Sequence, residues 1–115
     1  MSRILVLDDE PLIAMMVEDW LTELGHETIG PANSIKSALS LLEETTPDGA
    51  ILDVSIAGEH CYSVADVLSE RQVPFAFATG RSAEAIDNRF KQAPTLTKPF
   101  DFAALRDVMI QILRN

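Results

Sequence analysis

The chain has 115 residues, 47% of them hydrophobic, and 18 acidic against 9 basic side chains give it a formal net charge of -9. That length suits one domain spanning residues 1–115 with a real core, and the negative charge repels phosphate backbones, which argues against direct nucleic-acid binding. No run approaches the roughly 18 apolar residues of a membrane helix, and the Arg3–Leu7 run is too short for a signal peptide, so a soluble, cytoplasmic chain with no membrane partner is expected.

Ile4-Leu5-Val6-Leu7 reads as a buried strand. Pro11 to Leu24 follows as a helix, with proline in its first turn, Ile13, Val17, Leu21 and Leu24 at helical spacing, and Gly25 as its stop. Glu27 to Gly30 is a short, weaker strand. Ser34 is placed to cap a second helix carrying Ile35, Ala38, Leu39 and Leu42. Pro47-Asp48-Gly49 marks a turn, and Ala50-Ile51-Leu52 forms a strand that ends at Asp53. A helix is expected at about Tyr62 to Glu70, and Phe75 to Ala78 is another apolar strand, closed by Thr79-Gly80. A short, weakly patterned helix from about Ser82 to Phe90 precedes a strand at Thr95 to Thr97, and Asp101 is placed to cap a last helix bearing Phe102, Leu105, Met109 and Ile112. The one cysteine, Cys61, excludes an internal disulfide and reads as a small buried hydrophobe.

Strands alternating with helices predict an α/β fold: a five-stranded parallel sheet, doubly wound and flavodoxin-like, in the order 2-1-3-4-5. Sites in such sheets form beyond the carboxyl ends of the strands. Polar residues fall there repeatedly: Asp8-Asp9-Glu10 after the first strand, Asp53 at the third, Thr79 at the fourth, and Lys98-Pro99 after the fifth. Clustered carboxylates repel unless a proton or cation intervenes. A hard divalent ion such as Mg²⁺ takes oxygen ligands and keeps several waters, so Asp9 and Asp53 are candidates for direct coordination and Asp8 for a water-mediated role. A carboxylate can also be a nucleophile that forms an acyl phosphate. Lys98 and Mg²⁺ suit neutralisation of transferring oxygens, and the Thr79 hydroxyl suits a hydrogen bond to one of them. Taken singly, each of these residues is as readily a solvated turn, a helix N-terminus or a surface charge; accidental agreement at four strand ends is a poor explanation of the set.

The ordered segments Ile4-Leu5-Val6-Leu7-Asp8-Asp9-Glu10-Pro11, Ile51-Leu52-Asp53, Ala78-Thr79-Gly80 and Thr97-Lys98-Pro99-Phe100 resemble those of bacterial response-regulator receiver domains, over essentially the whole chain. The resemblance implies Asp53 as phospho-acceptor, Asp8 and Asp9 as the Mg²⁺-holding pair, the Ser55 backbone carbonyl as a further ligand, and Thr79 and Lys98 on the phosphoryl group. It implies a cis Lys98-Pro99 bond. It also implies a donor phosphohistidine on a sensor histidine kinase or histidine phosphotransfer protein, output through contacts with a downstream protein, and a monomer or weak dimer. No turnover of an external substrate is implied, only Mg²⁺-dependent self-phosphorylation and self-dephosphorylation. Phe77-Ala78-Thr79-Gly80 resembles the FAT-G motif of a subset common in alphaproteobacteria, which has a shortened fourth helix.

Departures from the family pattern bear on readout. Thr95 stands where most receivers carry a switching Tyr or Phe, and Ala57 stands where a proline is frequent, which is expected to alter the loop rather than the chemistry. Signalling is therefore expected to use the Thr79 to Phe90 segment. Arg81, beside the site, would pair with a phosphate or a partner's acid, or simply face solvent. On the first helix, Met15, Met16 and Trp20 exceed one core stripe; peripheral packing is favoured over docking to a kinase. His26 and His60 lack ligand spacing and read as loop residues. Two alternatives stay open: a receiver-fold interaction module that works without phosphorylation, and a receiver fragment of a larger regulator.

Overall fold

The computed structural model describes residues 2–80 and 86–114. The elements are β1 (Arg3–Leu7), α1 (Pro11–Glu23), β2 (Glu27–Ala32), α2 (Ile35–Glu44), β3 (Gly49–Asp53), a small hairpin of β4 (Ser55–Ile56) and β5 (Glu59–His60), α3 (Tyr62–Glu70), β6 (Phe75–Thr79), a 3-10 turn at Asn88–Phe90, β7 (Thr95–Thr97) and α4 (Phe102–Leu113). β2-β1-β3-β6-β7 form one sheet, with every neighbouring pair parallel. With the hairpin set aside, this is the doubly wound order expected of the sequence.

Apolar runs become the central strands because both sheet faces are covered by helices. Side chains alternate across the sheet. Leu5, Leu7, Ala50, Leu52, Phe75 and Phe77 join the core under α2 and α3, which contribute Ala38, Leu42, Val64 and Leu68 among others. Ile4, Val6, Ile51, Ala76 and Ala78 join the opposite core, closed by Val17 and Leu21 of α1 and by Leu105, Val108, Met109 and Ile112 of α4. Two helices start on side-chain caps: the Ser34 hydroxyl accepts from the Ser37 amide at 3.0 Å, and Asp101 Oδ1 accepts from Ala104 at 2.8 Å. α1 starts on Pro11 without a side-chain cap.

Some boundaries differ from expectation. β2 runs on through Gly30-Pro31 to Ala32, with a register irregularity against β1 between Leu5 and Leu7. Gly30 sits at φ +96, and a Cβ there would meet the Ala32 nitrogen at 2.6 Å, so glycine is required at this bend. Both Gly30-Pro31 and Lys98-Pro99 are cis. Of the helix expected at Ser82 to Phe90, residues 81–85 lie outside the described residues; the remainder contains only the 3-10 turn at Asn88–Phe90. The β4-β5 hairpin was not expected. Its two turn residues, Ala57 and Gly58, both have positive φ (50 and 84), the pairing that a two-residue hairpin turn demands. His60, expected in a loop, lies in β5.

The Met15, Met16 and Trp20 question resolves in parts. Met16 and Trp20 pack against the α1–α4 core, and the Trp20 ring meets Phe100 and Phe102 edge-on at 6.4 and 6.0 Å. Met15 and the neighbouring Leu12 are exposed.

Cys61 is fully buried at the start of α3. Burial, with a smaller contribution from the Asp53 charge, pushes its thiol up to about 12. Only the thiolate reacts, so alkylation of the native protein by iodoacetamide at pH 8 is expected to be at least about a hundredfold slower than in urea, where the thiol returns to about 8.5. Mass spectrometry against time measures this; comparable rates would show that the α3 start opens readily.

Candidate functional site

Register alone collects the polar strand ends. Leu7 pairs with Leu52, so Asp8 emerges beside Asp53. Asp53 pairs with Ala78, and Thr79 pairs with Thr97, which places Thr79 and Lys98 at the same edge. The Lys98 amide donates to the Thr79 carbonyl at 2.8 Å, and the Val54 amide donates to the Ala78 carbonyl at 3.1 Å, fixing these ends to one another. Asp8, Asp53 and Thr79 are the buried polar side chains among the described residues, at 5%, 7% and 5% exposure. Polar groups are costly to bury, and all three lie at this one edge.

The ammonium of Lys98 holds the site together. Its Nζ lies 3.1 Å from Asp8 Oδ2, 3.1 Å from Glu10 Oε1 and 3.1 Å from Asp53 Oδ2. An ammonium has three N–H donors, so these carboxylates use all of them. Asp8 is committed at both oxygens, since its Oδ1 accepts the Glu10 amide at 2.9 Å. Asp9 is exposed, and its Oδ2 accepts the Ala57 amide from the hairpin at 3.0 Å. Ligand oxygens of Asp8, Asp9, Glu10 and Asp53 all lie within 4.8 Å of one another. Among the described residues four carboxylates therefore share this edge with one ammonium, which reaches three of them, and the excess of negative charge on close oxygens suits a hard divalent cation.

Two shifts express this balance. Burial raises the pKa of Asp53 above the usual carboxylate range; the hydrogen bond and charge of Lys98 pull the other way, the Asp8 charge raises it further, and a Ser55 backbone hydrogen bond lowers it. For Lys98, burial works against the charge, but Asp53 and Asp8 outweigh it and hold the ammonium above the usual lysine range. Lys98 is therefore a permanent cation at neutral pH, whereas ionised Asp53 is held at a cost.

Of the residues expected at the site, Asp8, Asp9, Asp53, Thr79 and Lys98 converge on this edge. Ser55 begins the hairpin at the rim and is exposed. Thr95 is half-buried at the start of β7, paired with Phe77, two residues short of the strand end at Thr97. Arg81 lies outside the described residues. Glu10 and Ala57 are the partners that the sequence did not single out. Glu10 was legible only as part of an acidic run, and the Ala57 contact is a backbone amide, for which side-chain chemistry carries no signal.

An acid whose folded-state pKa is raised above its unfolded value destabilises the fold where it is ionised, and that cost disappears as pH falls through the raised value. Asp53→Asn is therefore expected to raise Tm at pH 7 in metal-free buffer, and the difference from wild type is expected to shrink towards acid pH. Calorimetry at several pH values checks this; a lower Tm for Asp53→Asn would show that Lys98 outweighs burial.

Residues 4–110 match the response regulator receiver domain family. The chain is 34% identical over 97% of its length to the phyllosphere-induced regulator PhyR of Methylorubrum extorquens, of which it covers 43%. It spans about half the length, or less, of the first curated relatives it matches. Among solved structures, SdrG from Sphingomonas melonis Fr1 superposes with a TM-score of 0.87 at 40% identity, covering 98% of this chain and 97% of that one. TrrA from Thermotoga maritima, solved in complex with Mg(2+)-BeF, superposes with a TM-score of 0.85 at 28% identity, covering 98% of this chain and 100% of that one. The FAT-G resemblance at Phe77–Gly80 accords with PhyR and SdrG as relatives. The chain belongs to the response-regulator receiver domain family, whose members work in phosphorelay signalling.

Proposed function

We propose that Asp53 is the phosphoryl acceptor of this receiver and that its charge state, changed by phosphorylation, alters contacts with a downstream protein. The observation that carries the reading is the shared ammonium: Lys98 lies 3.1 Å from Asp53 at a buried edge crowded with carboxylates. Among the described residues it is the one cation there, poised to balance new phosphoryl charge.

The donor is a phosphohistidine on a sensor histidine kinase or a histidine phosphotransfer protein. A carboxylate oxygen of Asp53 attacks phosphorus, the P–N bond to the imidazole breaks, and the imidazole leaves with its electron pair and takes up a proton. Asp53 then carries an acyl phosphate. Lys98 keeps its positive charge throughout and offers N–H donors to the phosphoryl oxygens, while the Thr79 hydroxyl donates to another. Release follows when water attacks the same phosphorus and Asp53 is restored. No external metabolite is turned over.

Mg²⁺ fits the acidic cluster: Asp9 and Asp53 would ligate it, with the Ser55 backbone carbonyl, and Asp8 would act from the position that its bonds to Lys98 and the Glu10 amide already fix. When bound, the ion neutralises phosphoryl oxygens and offsets the mutual repulsion of the carboxylates. TrrA, solved with Mg(2+)-BeF, supports this reading by likeness. Among the described residues no helix is long and apolar enough to cross a membrane. Action in the cytoplasm on protein partners, as one receiver domain and a monomer or weak dimer, is part of the same proposal.

A phosphorylation-independent interaction module is the weaker reading, because such a module has no use for three buried polar groups at one strand edge.

Incubation with Mg²⁺ and acetyl phosphate is expected to add one phosphoryl group by intact mass, and Asp53→Asn is expected to add none; an unchanged adduct on that variant would sink the assignment. Asp9→Asn is expected to weaken Mg²⁺ binding by about tenfold or more in calorimetric titration, by removing a charged oxygen ligand. Equal affinity would remove Asp9 from the ligand set.

A further inference from the structure

One continuous path of contacts leads away from the site. It begins at the exposed carboxylate of Asp9, whose Oδ2 accepts the Ala57 amide at 3.0 Å. Ala57 holds φ 50, a left-handed conformation that a non-glycine residue adopts only under strain. The hairpin is thus held over the site partly by this tether. Its base is closed by the Cys61 amide donating to the Val54 carbonyl at 2.9 Å, one residue from Asp53.

Directly beyond that base stands Tyr62. Its ring stacks on His60 of the hairpin at 5.2 Å, with planes 10° apart, and on Phe90 at 5.4 Å on the other side of the path. Its hydroxyl accepts the Asp87 amide at 2.9 Å. One helical turn further on, Asp66 pairs with Arg89 at 2.9 Å, and the Arg89 guanidinium lies 4.7 Å over the Phe90 ring. The segment from Ile86 to Phe90 is therefore fastened to α3, and Tyr62 is the residue of α3 that touches both the hairpin and that segment.

We infer that Tyr62 is the positioning residue through which the loading state of the site reaches the segment before β7, with the Ala57 amide as the first link and the Asp87 amide as the last. The inference rests on the acceptor reading above and adds its route. The Ala57 amide rests on Asp9 Oδ2, and a cation taken up on this carboxylate draws charge from it, so loading weakens the tether and lets the strained turn relax. The hairpin carries His60, the Tyr62 ring follows His60, and the Tyr62 hydroxyl carries the Asp87 amide with it. This route needs no aromatic at position 95, where the chain has threonine.

The test compares the full chain with Tyr62→Phe, which keeps the ring and removes the hydroxyl, by amide NMR and hydrogen exchange. Mg²⁺ with beryllofluoride serves as the phosphoryl mimic. Without the mimic, the Asp87 amide of the variant is expected to exchange roughly fivefold to tenfold faster, the loss of one hydrogen bond. With it, the Ala57 amide is expected to shift in both proteins, and the Asp87 amide only in wild type. A variant whose Asp87 amide responds as wild type does overturns the route through Tyr62. A wild-type response at Ala57 with none at Asp87 overturns the route and leaves the acceptor reading standing. Silence at both amides, with no shift at Asp53 or Lys98, takes down the acceptor reading and this inference together.

Discussion

The shared ammonium of Lys98 is the interaction on which the site depends. Asp8 and Asp53 are buried carboxylates a few ångströms apart, and neither has another cationic side chain within ion-pairing distance among the described residues. Removing one partner from a buried ion pair commonly costs about 3–5 kcal/mol, because the remaining charge is stranded. Here one cation serves three carboxylates, and the most exposed of the three, Glu10, gives up least when released to water. Among the described residues the site therefore holds more carboxylates than ammonium groups, and Glu10 is the partner it releases most cheaply.

That imbalance is stabilised by what lies beneath. Leu7, Leu52, Ala78 and Leu96 each directly precede a polar residue at the strand ends, and all are buried, so the polar edge rests on a packed layer. Parallel pairing in register carries Asp8, Asp53, Thr79 and Lys98 to the same edge. Trp20, wedged against Phe100 and Phe102, secures the chain just past Lys98 and so steadies the lysine from its far side. The rigid part of the site is made by core packing, whereas its rim, the hairpin from Ser55 to His60, is held by backbone bonds and a strained turn.

How much of this was legible follows from how each residue is placed. Asp8, Asp53 and Thr79 could be read because each ends or follows an apolar run short enough to be a central strand, and Lys98 because it follows the last short strand; the fold rule then sends them to one edge. Gly30-Pro31 misled, because that dipeptide normally ends a strand, whereas here β2 bends past it and re-forms its pairing at Ala32. The hairpin was illegible: Ala57-Gly58 lacks the asparagine or aspartate that usually announces such a turn. Glu10 reaches Lys98 across 88 residues, and Tyr62 reaches Asp87 across 25. Neither spacing leaves a periodic trace, since both contacts are products of the finished topology rather than of local pattern.

The sheet's two margins carry one more consequence. β2 and β7 form its outer strands, and outer strands present unpaired backbone groups that can recruit another chain into a growing β-aggregate. Pro31 removes a donor from one margin, beside the bend at Gly30, and the other margin is three residues long. On the proposed route, loosening of the surface beside β7 would otherwise expose a template for fibril growth each time it occurred. Short and interrupted margins let the chain move without that hazard.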